Sequence, residues 1–221
     1  MITFVRHGHK AFANGKGKPR FDPNLVEEFL GLPSHDIYHG KEGVVVYSSP
    51  YRRCQQTAKK FSNDYIVDCR LGEYLGHWTY KNVRKETDFH PDTLTSIQAG
   101  CSLPPPEESI PEMKNRMLSF LKDLVKDFLD TPTEKRPDHI IVVSHGLPIE
   151  ILQRSLTSTK RTFSSGKKLP PGYIEGFSIR LEEKDVIPTR YYDDTNRSWC
   201  DSYGYDSSLP LSKDICDSFG L

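Results

Sequence analysis

The chain opens on an unbroken run, Met1-Ile2-Thr3-Phe4-Val5, and passes without a spacer into Arg6-His7-Gly8. Thr3, Phe4 and Val5 favour extended backbone, a run without polar alternation reads as a buried central strand, and Gly8 breaks it. A guanidinium and an imidazole therefore stand where a strand ends. In open α/β sheets ligands bind in the crevice beyond the carboxyl ends of the strands, so a cation and a nucleophile placed there point to an oxyanion site. The bland alternative is a solvated strand end with two incidental polar residues.

Later segments repeat the pattern. Gly43 to Tyr47 reads as a second strand, ended by Ser48-Ser49-Pro50, and Tyr51 to Phe61 as the helix that follows, with Pro50 near its first turn. Tyr65 to Cys69 is a third strand, and His139 to Val143 a fourth, with Ser144-His145-Gly146 at its end and Leu147 to Leu156 as the next helix. Ser109 and Glu112 form a capping box, after which Met113, Met117, Phe120, Leu121, Leu124 and Phe128 fall at helical spacing on a core-facing stripe. Ile174 to Leu181 and Val186 to Tyr192 look like two closing strands.

Between these elements lie segments that resist assignment. Residues 9 to 43 are broken by glycine and proline and read as loop with a short helix near Leu25 to Leu30. Residues 74 to 108 lack periodicity and end in Leu103-Pro104-Pro105-Pro106, which marks a loop-rich insertion that can act as a lid. The expected architecture is an α/β three-layer sandwich, a mostly parallel central sheet flanked by helices, with residues 1–192 as a single domain. Residues 193–221, rich in Asp, Ser and Gly, read as a polar C-terminal tail.

The strands at 2 to 5, 44 to 47, 65 to 69 and 139 to 143 are each followed closely by a chemically capable group: Arg6 and His7, Arg53, Glu73, and His145. In a parallel sheet with helical crossovers such ends converge on one edge. The resulting pocket holds two arginines, two histidines and a carboxylic acid, the parts of a phosphoryl-transfer site without metal. Arginine forks bind phosphate oxygens bidentately, a neutral imidazole can attack phosphorus, and a protonated Glu can hand its proton to the leaving oxygen.

At this point the motifs become specific. Arg6-His7-Gly8 resembles the signature of the histidine phosphatase superfamily, in the branch of the phosphoglycerate mutases and small-molecule phosphatases. Ser48-Ser49-Pro50-Tyr51-Arg52-Arg53-Cys54-Gln55-Gln56-Thr57-Ala58 is similar to that family's Ser-Ser-Pro-x-x-Arg-x-x-Gln-Thr-Ala, which assigns phosphate binding to Arg53 and not Arg52. Leu71-Gly72-Glu73-Tyr74-Leu75-Gly76-His77-Trp78 resembles its Leu-x-Glu-x-x-Gly-x-Trp, with Glu73 as acid/base, and Ser144-His145-Gly146 matches the late motif that supplies the second histidine. Glu108-Ser109 resembles a Gly-Glu-Ser start of the long helix. The resemblance implies a phosphohistidine on His7, a phosphoryl group held by Arg6, Arg53 and His145, with Gly8 at the phosphate site, and proton transfer by Glu73.

Departures from the pattern are also visible. The family's Asn, commonly seven positions after the signature Arg, is met by Ala13, so Asn14, one residue off register, is its nearest counterpart as a phosphate contact. The usual Leu-Thr-x-x-Gly segment is reduced to Asp22-Pro23-Asn24-Leu25, and Trp78 is followed by Thr79-Tyr80 instead of Glu-Gly. The leading expectation is a metal-independent phosphomonoesterase. Two alternatives stand beside it: a mutase-type phosphoryl transfer, for which Trp78-Thr79-Tyr80-Lys81 is a poor match and which needs a closed site that excludes water, and a catalytically quiet interaction module on the same fold.

Composition closes off other classes. Thirty basic residues balance thirty acidic ones, so no global field points to nucleic acid or an anionic membrane surface. No run is long enough to span a bilayer, and no signal peptide is visible, so the expected location is cytoplasmic. Five cysteines, an odd count without framework spacing, fit reduced thiols. His7 and His9 form a His-x-His pair, but no carboxylate or cysteine set at ligand spacing supports a metal, and none is expected. No cysteine is followed by an arginine six positions on, and Gly166-Lys167 lacks the preceding glycine of a phosphate-binding loop, so no cofactor is expected either. The partner implied is a small phosphorylated substrate or a phosphopeptide.

Overall fold

The structure is a computed structural model that describes residues 1–8, 22, 25, 27–35, 38–74, 91–101, 108–157, 174–193, 198–199 and 208–221. Its elements run β1 (Ile2–Arg6), α1 (Glu27–Leu30), β2 (Val44–Ser48), α2 (Arg52–Ala58), β3 (Ile66–Val67), a 3-10 turn at Cys69–Leu71, α3 (Pro91–Gln98) and α4 (Ile110–Asp130). There follow β4 (His139–Ser144), α5 (Gly146–Thr157), β5 (Glu175–Arg180), β6 (Asp185–Arg190), β7 (Tyr192–Asp193), β8 (Ser198–Trp199), β9 (Leu209–Pro210) and α6 (Lys213–Phe219). Seven strands form one sheet in the order β3-β2-β4-β1-β5-β6-β9, and β7 pairs with β8 apart from it. The strands β3, β2, β4 and β1 are mutually parallel, with Arg6 beside Ser144 at the shared end of β1 and β4. From β1 outward the ladder turns antiparallel through β5, β6 and β9, so the sheet is mixed.

Alternation along the central strands explains the layering. Ile2 and Phe4 of β1, with Ile140 and Val142 of β4, face a core built from Met117, Phe120, Leu121 and Leu124 of α4 and Ile149, Leu152 and Leu156 of α5. Val5, Ile141 and Val143 point the other way, into a second core with Phe29, Cys54, Ala58, Phe61 and Tyr191. Every residue of β4 is buried, which is why its sequence reads as a continuous apolar run. The capping box on α4 forms as the spacing expects: the Ser109 backbone N–H donates to Glu112 Oε2 at 2.7 Å, and the Glu112 N–H donates to Ser109 Oγ at 3.4 Å. On β5, Gly176 is required by close approach, since a Cβ there would sit 1.7 Å from the Phe4 carbonyl oxygen.

Three expectations are corrected. The segment 74–108 is not without regular structure, because α3 lies within it. Its hydrophobic signature is absent because its fully buried residue is a threonine: Thr93 Oγ1 contacts the Asp22 carboxylate and lies 3.0 Å from the Pro50 carbonyl. The polar stretch after 193 contributes to both cores: Trp199 packs on Phe29 and donates its indole N–H to the Pro33 carbonyl at 2.9 Å, while Leu211 and Cys216 are buried beside α4 and α5. Single apolar anchors spaced among Asp, Ser and Gly leave no periodicity to read. Finally, the five cysteines are not all reduced thiols, since Cys69 and Cys101 form a disulfide, whereas Cys54 and Cys216 are free and buried. Among the described residues no helix is long and apolar enough to cross a membrane.

A row of polar side chains crosses the middle of the sheet, with one residue from each of four adjacent strands. His139 Nε2 lies 2.7 Å from Thr3 Oγ1, Thr3 2.8 Å from Ser178 Oγ, and Ser178 2.6 Å from Thr189 Oγ1, while Tyr191 Oη reaches the same imidazole nitrogen at 3.1 Å. Burial, aided by the N-terminal ammonium and then by His35, holds the His139 imidazole down at about 4, against 6.5 in the open chain. Its folded state thus binds fewer protons than its unfolded state between these values, so stability declines as pH falls through that window. Urea unfolding at pH 7 and at pH 4.5 should show a loss from His139 of roughly 2 to 3 kcal/mol, and His139→Gln should shrink the total loss by that amount. An unchanged loss in the variant would remove His139 from the account.

Candidate active site

The parallel half of the sheet brings the carboxyl ends of β1, β2, β3 and β4 to one edge, and the groups that follow those ends meet there. Arg53, on the first turn of α2, stands at the centre. Its Nε donates to His7 Nε2 at 3.1 Å, and its second terminal nitrogen donates to Glu73 Oε2 at 3.1 Å and lies 3.1 Å from His145 Nδ1. On the far side Asp22 Oδ1 is 3.7 Å from the remaining guanidinium nitrogen, and the Tyr51 ring lies beneath at 4.9 Å. The guanidinium is almost wholly enclosed.

His7 is oriented by its own turn. Its Nδ1 lies 2.8 Å from the Gly8 carbonyl, so the proton sits on Nδ1 and Nε2 keeps the lone pair that accepts from Arg53. Gly8 in turn donates its N–H to Thr57 Oγ1 at 2.9 Å, and Thr57 donates to the Arg53 carbonyl at 2.8 Å, which locks the end of β1 to α2. A Cβ at Gly8 would sit 2.7 Å from the buried Phe29 ring, so a side chain there would displace that ring. Burial first, then the charges of Arg53, His145 and Arg6, holds the His7 imidazole well below its ordinary range, against the opposing bond to Gly8. His7 is therefore a neutral imidazole at neutral pH.

His145 follows β4, and its ring centroid is 5.4 Å from that of His7. Its Nε2 meets Ser49 Oγ at 2.8 Å and its Nδ1 lies 3.2 Å from Glu73 Oε2. Burial dominates here as well and draws the imidazole down to about 4, with Glu73 opposing and Arg53 assisting. Cys54, although 3.5 Å from the same ring, is not a nucleophile: burial pushes its thiol up, beyond the reach of neutral pH.

Glu73 is the group of this set most open to solvent, its side chain 24 % exposed, and so the one a leaving group can approach. Burial would raise its carboxyl, but His145 and Arg53 together outweigh that and hold it down at about 2. Glu73 is thus an anion in contact with both Arg53 and His145. The turn that carries it is tied down by Ser144, whose hydroxyl donates to the Leu71 carbonyl at 2.8 Å, and by the bond between Cys69 and Cys101.

Of the residues singled out from sequence, His7, Arg53, Glu73 and His145 are brought into mutual contact, Gly8 shapes the His7 turn, and Arg6 sits at the end of β1 with its charge acting on His7. Asn14 and His9 lie outside the described residues. Asp22, Ser49, Thr57 and Thr93 were not singled out as functional. Asp22 is fully buried, accepts the Arg52 backbone N–H at 2.7 Å, and appears in the sequence only as a remnant of a reduced motif. The signal for Thr57 was its place four residues after Arg53 on a helix.

His7, Glu73 and His145 offer ligand atoms within 4.8 Å of one another, which is a spacing a metal ion could use. Arg53, however, contacts all three with a permanent positive charge in the same space, so the donor set fits an oxyanion held by Arg53 better than a second cation.

The model of the histidine phosphatase superfamily (branch 1) matches residues 2–184. Comparison with curated proteins yields no match. Among solved structures, a mycobacterial hydrolase, described as hydrolase 2, superimposes with a TM-score of 0.50 at 18% identity, over 99% of this chain and 95% of its own. The mycobacterial glucosyl-3-phosphoglycerate phosphatase does so with a TM-score of 0.50 at 17% identity, over 93% of this chain and 98% of its own. At these identities the likeness is one of fold.

A carboxylate held at about 2 by two partners has a measurable consequence when an oxyanion takes those partners. A bound dianion repels the Glu73 charge and raises its carboxyl, so binding should draw a proton onto Glu73. Titration calorimetry with tungstate at pH 6, in buffers of different ionisation heat, should show net proton uptake that Glu73→Gln abolishes. Equal uptake by both proteins would place the proton elsewhere.

Proposed function

The chain belongs to the histidine phosphatase superfamily, and from that premise we propose that it is a metal-independent phosphomonoesterase acting through a phosphohistidine on His7. The observation that carries the reading is the His7 imidazole: neutral, with its Nδ1 proton fixed on Gly8 and its Nε2 lone pair aimed at the guanidinium of Arg53. A nucleophile and an oxyanion clamp in contact are what in-line attack on phosphorus requires.

In the first half-reaction the Nε2 lone pair forms a bond to phosphorus while the bond from phosphorus to the ester oxygen breaks. Arg53, Arg6 and His145 hold the phosphoryl oxygens, and the Glu73 carboxyl, protonated as the dianion binds, passes its proton to the departing oxygen to give the alcohol. In the second half, the Glu73 carboxylate takes a proton from water, the water oxygen bonds to phosphorus, and the phosphorus–nitrogen bond breaks with its electrons returning to Nε2. Orthophosphate leaves, Glu73 releases to solvent the proton it took from water, and the site returns to its starting form. No step calls on a metal, so a chelator should leave the rate unchanged. The substrate we assign is a small phosphomonoester. In support, the glucosyl-3-phosphoglycerate phosphatase of the same fold is named for such a compound.

Two measurements test the reading. Brief reaction with substrate and an alkaline quench should trap an acid-labile adduct on His7; an adduct on serine, cysteine or aspartate overturns the mechanism. In burst kinetics, Glu73→Gln should slow phosphorylation by glycerol 2-phosphate by roughly 10² or more and by 4-nitrophenyl phosphate far less, since a general acid matters only where the leaving group needs a proton. Arg53→Ala should slow both comparably, because it loosens the grip on the phosphoryl oxygens. Equal slowing of the two esters by Glu73→Gln removes it as the leaving-group acid.

A further inference from the structure

The long helix α4 sends one largely enclosed guanidinium toward the turn that carries Glu73. Arg116 uses Nε and one terminal nitrogen to clasp Glu108 side-on, at 2.6 Å to Oε1 and 2.7 Å to Oε2. Its other terminal nitrogen donates to the carbonyls of Arg70 and Gly72, the latter at 3.1 Å. Those carbonyls belong to the middle residue of the 3-10 turn and to the residue immediately before Glu73. Arg116 is 13% exposed and Glu108 4%, so this is an enclosed ion pair whose free donors are spent on main-chain oxygens rather than on solvent.

The arrangement has the form of a clamp. Glu108 fixes the plane of the guanidinium by the two parallel bonds that only an arginine fork provides, and the fixed plane sets where the two carbonyls stand. The peptide that ends in the Glu73 Cα is thereby held against α4, while the Ser144 hydroxyl holds Leu71 from the sheet. A buried ion pair is weak evidence of a gain in stability, because desolvation offsets much of its attraction. Its fork geometry and its two carbonyl partners give it a different use.

We propose that Arg116, locked by Glu108, is a positioning residue for the proton-donating carboxyl of Glu73. The proposal rests on the phosphatase reading above. It gives the Glu108-Ser109 pair, placed by sequence at the start of the helix, a task beyond capping: Ser109 begins α4 and Glu108 orients the arginine that α4 delivers to the turn.

Arg116 spends its hydrogen bonds on Glu108 and the two carbonyls and reaches His145 only through its charge. Exchanging Arg116 and Glu108 together removes both charges of the pair, so the loss should be felt through the placement of Glu73. Displacement of a reacting group by about 1 Å costs on the order of 10²-fold, and partial freedom costs less. Removing Arg116 by itself strands the buried Glu108 carboxylate, so the variant measured is Arg116→Met combined with Glu108→Gln. Arg116→Lys, which keeps the charge but not the fork, is the milder second variant. In burst kinetics each should slow phosphorylation of His7 by glycerol 2-phosphate, roughly tenfold or more for the pair, and phosphorylation by 4-nitrophenyl phosphate no more than about twofold. In a Glu73→Gln background the same changes should cost no more than about twofold with either ester, because there is no proton left to position. Equal slowing of both esters, or the same tenfold cost in the Glu73→Gln background, overturns the positioning role and leaves the phosphatase reading standing. A wild-type chain that cleaves neither ester overturns the phosphatase reading and this role with it.

Discussion

The site depends on one buried cation. Arg53 is almost entirely withdrawn from water, and an unpaired charge in that position would cost several kcal/mol or more. Its charge is balanced by Glu73 and Asp22, and its donors are taken by His7 and His145. This places a condition on both imidazoles. Each must present a lone pair or stay uncharged near the guanidinium, and in each burial and the neighbouring cation act together to keep it neutral. His7, Arg53, His145 and Glu73, to which the proposal gives the roles of nucleophile, clamp and acid, are therefore not independent residues gathered in a pocket. Each sets the protonation state in which the next can work.

That dependence explains which parts of the molecule were legible in the sequence. The strands β1 and β4 are buried on both faces, so their composition alone marks them, and a group that follows such a strand has little freedom about where it stands. His7, Arg53, Glu73 and His145 could be placed at one edge for this reason. Asp22 could not, because its role comes from the chain folding back over α2: it accepts the Arg52 N–H and lies beside Arg53, contacts with no spacing rule behind them. The helix α3 was hidden by the same physics, since its buried face is the Thr93 hydroxyl rather than an apolar stripe. The disulfide was hidden because Cys69 and Cys101 are 32 positions apart, and an odd cysteine count gives no hint of which two will meet.

The turn at Cys69–Leu71 shows how local chemistry and long-range ties divide the labour of holding a catalytic group. Asp68 caps the turn by accepting the Arg70 N–H at 2.8 Å, and Arg70 returns along its own side chain to the same carboxylate and to Asp123 on α4. Those contacts are partly exposed, and exposed pairs contribute little. The ties that bear on Glu73 are the enclosed ones, from Ser144 and Arg116 to main-chain carbonyls. Main-chain oxygens are a firm anchorage because they have no rotamers to escape into. These ties fix the backbone from which the Glu73 carboxyl reaches Arg53 and His145.

Glu73 is also the anion that faces Arg53 and His145, and this bears on what binding can achieve. On the proposed reading, a phosphomonoester that enters would take over contacts with Arg53 and His145 that are already engaged, so its arrival would be an exchange and not a simple addition. At an effective dielectric of 20, two unit charges 4 Å apart interact by about 4 kcal/mol, and only the difference between the dianion and the displaced carboxylate appears as affinity. The remainder is not lost to catalysis. On the same reading it would be returned as a raised Glu73 carboxyl, so that the acid is armed only when a dianion is present. Interactions of this kind favour the reacting state over simple occupancy, which is the property that raises turnover instead of merely tightening binding.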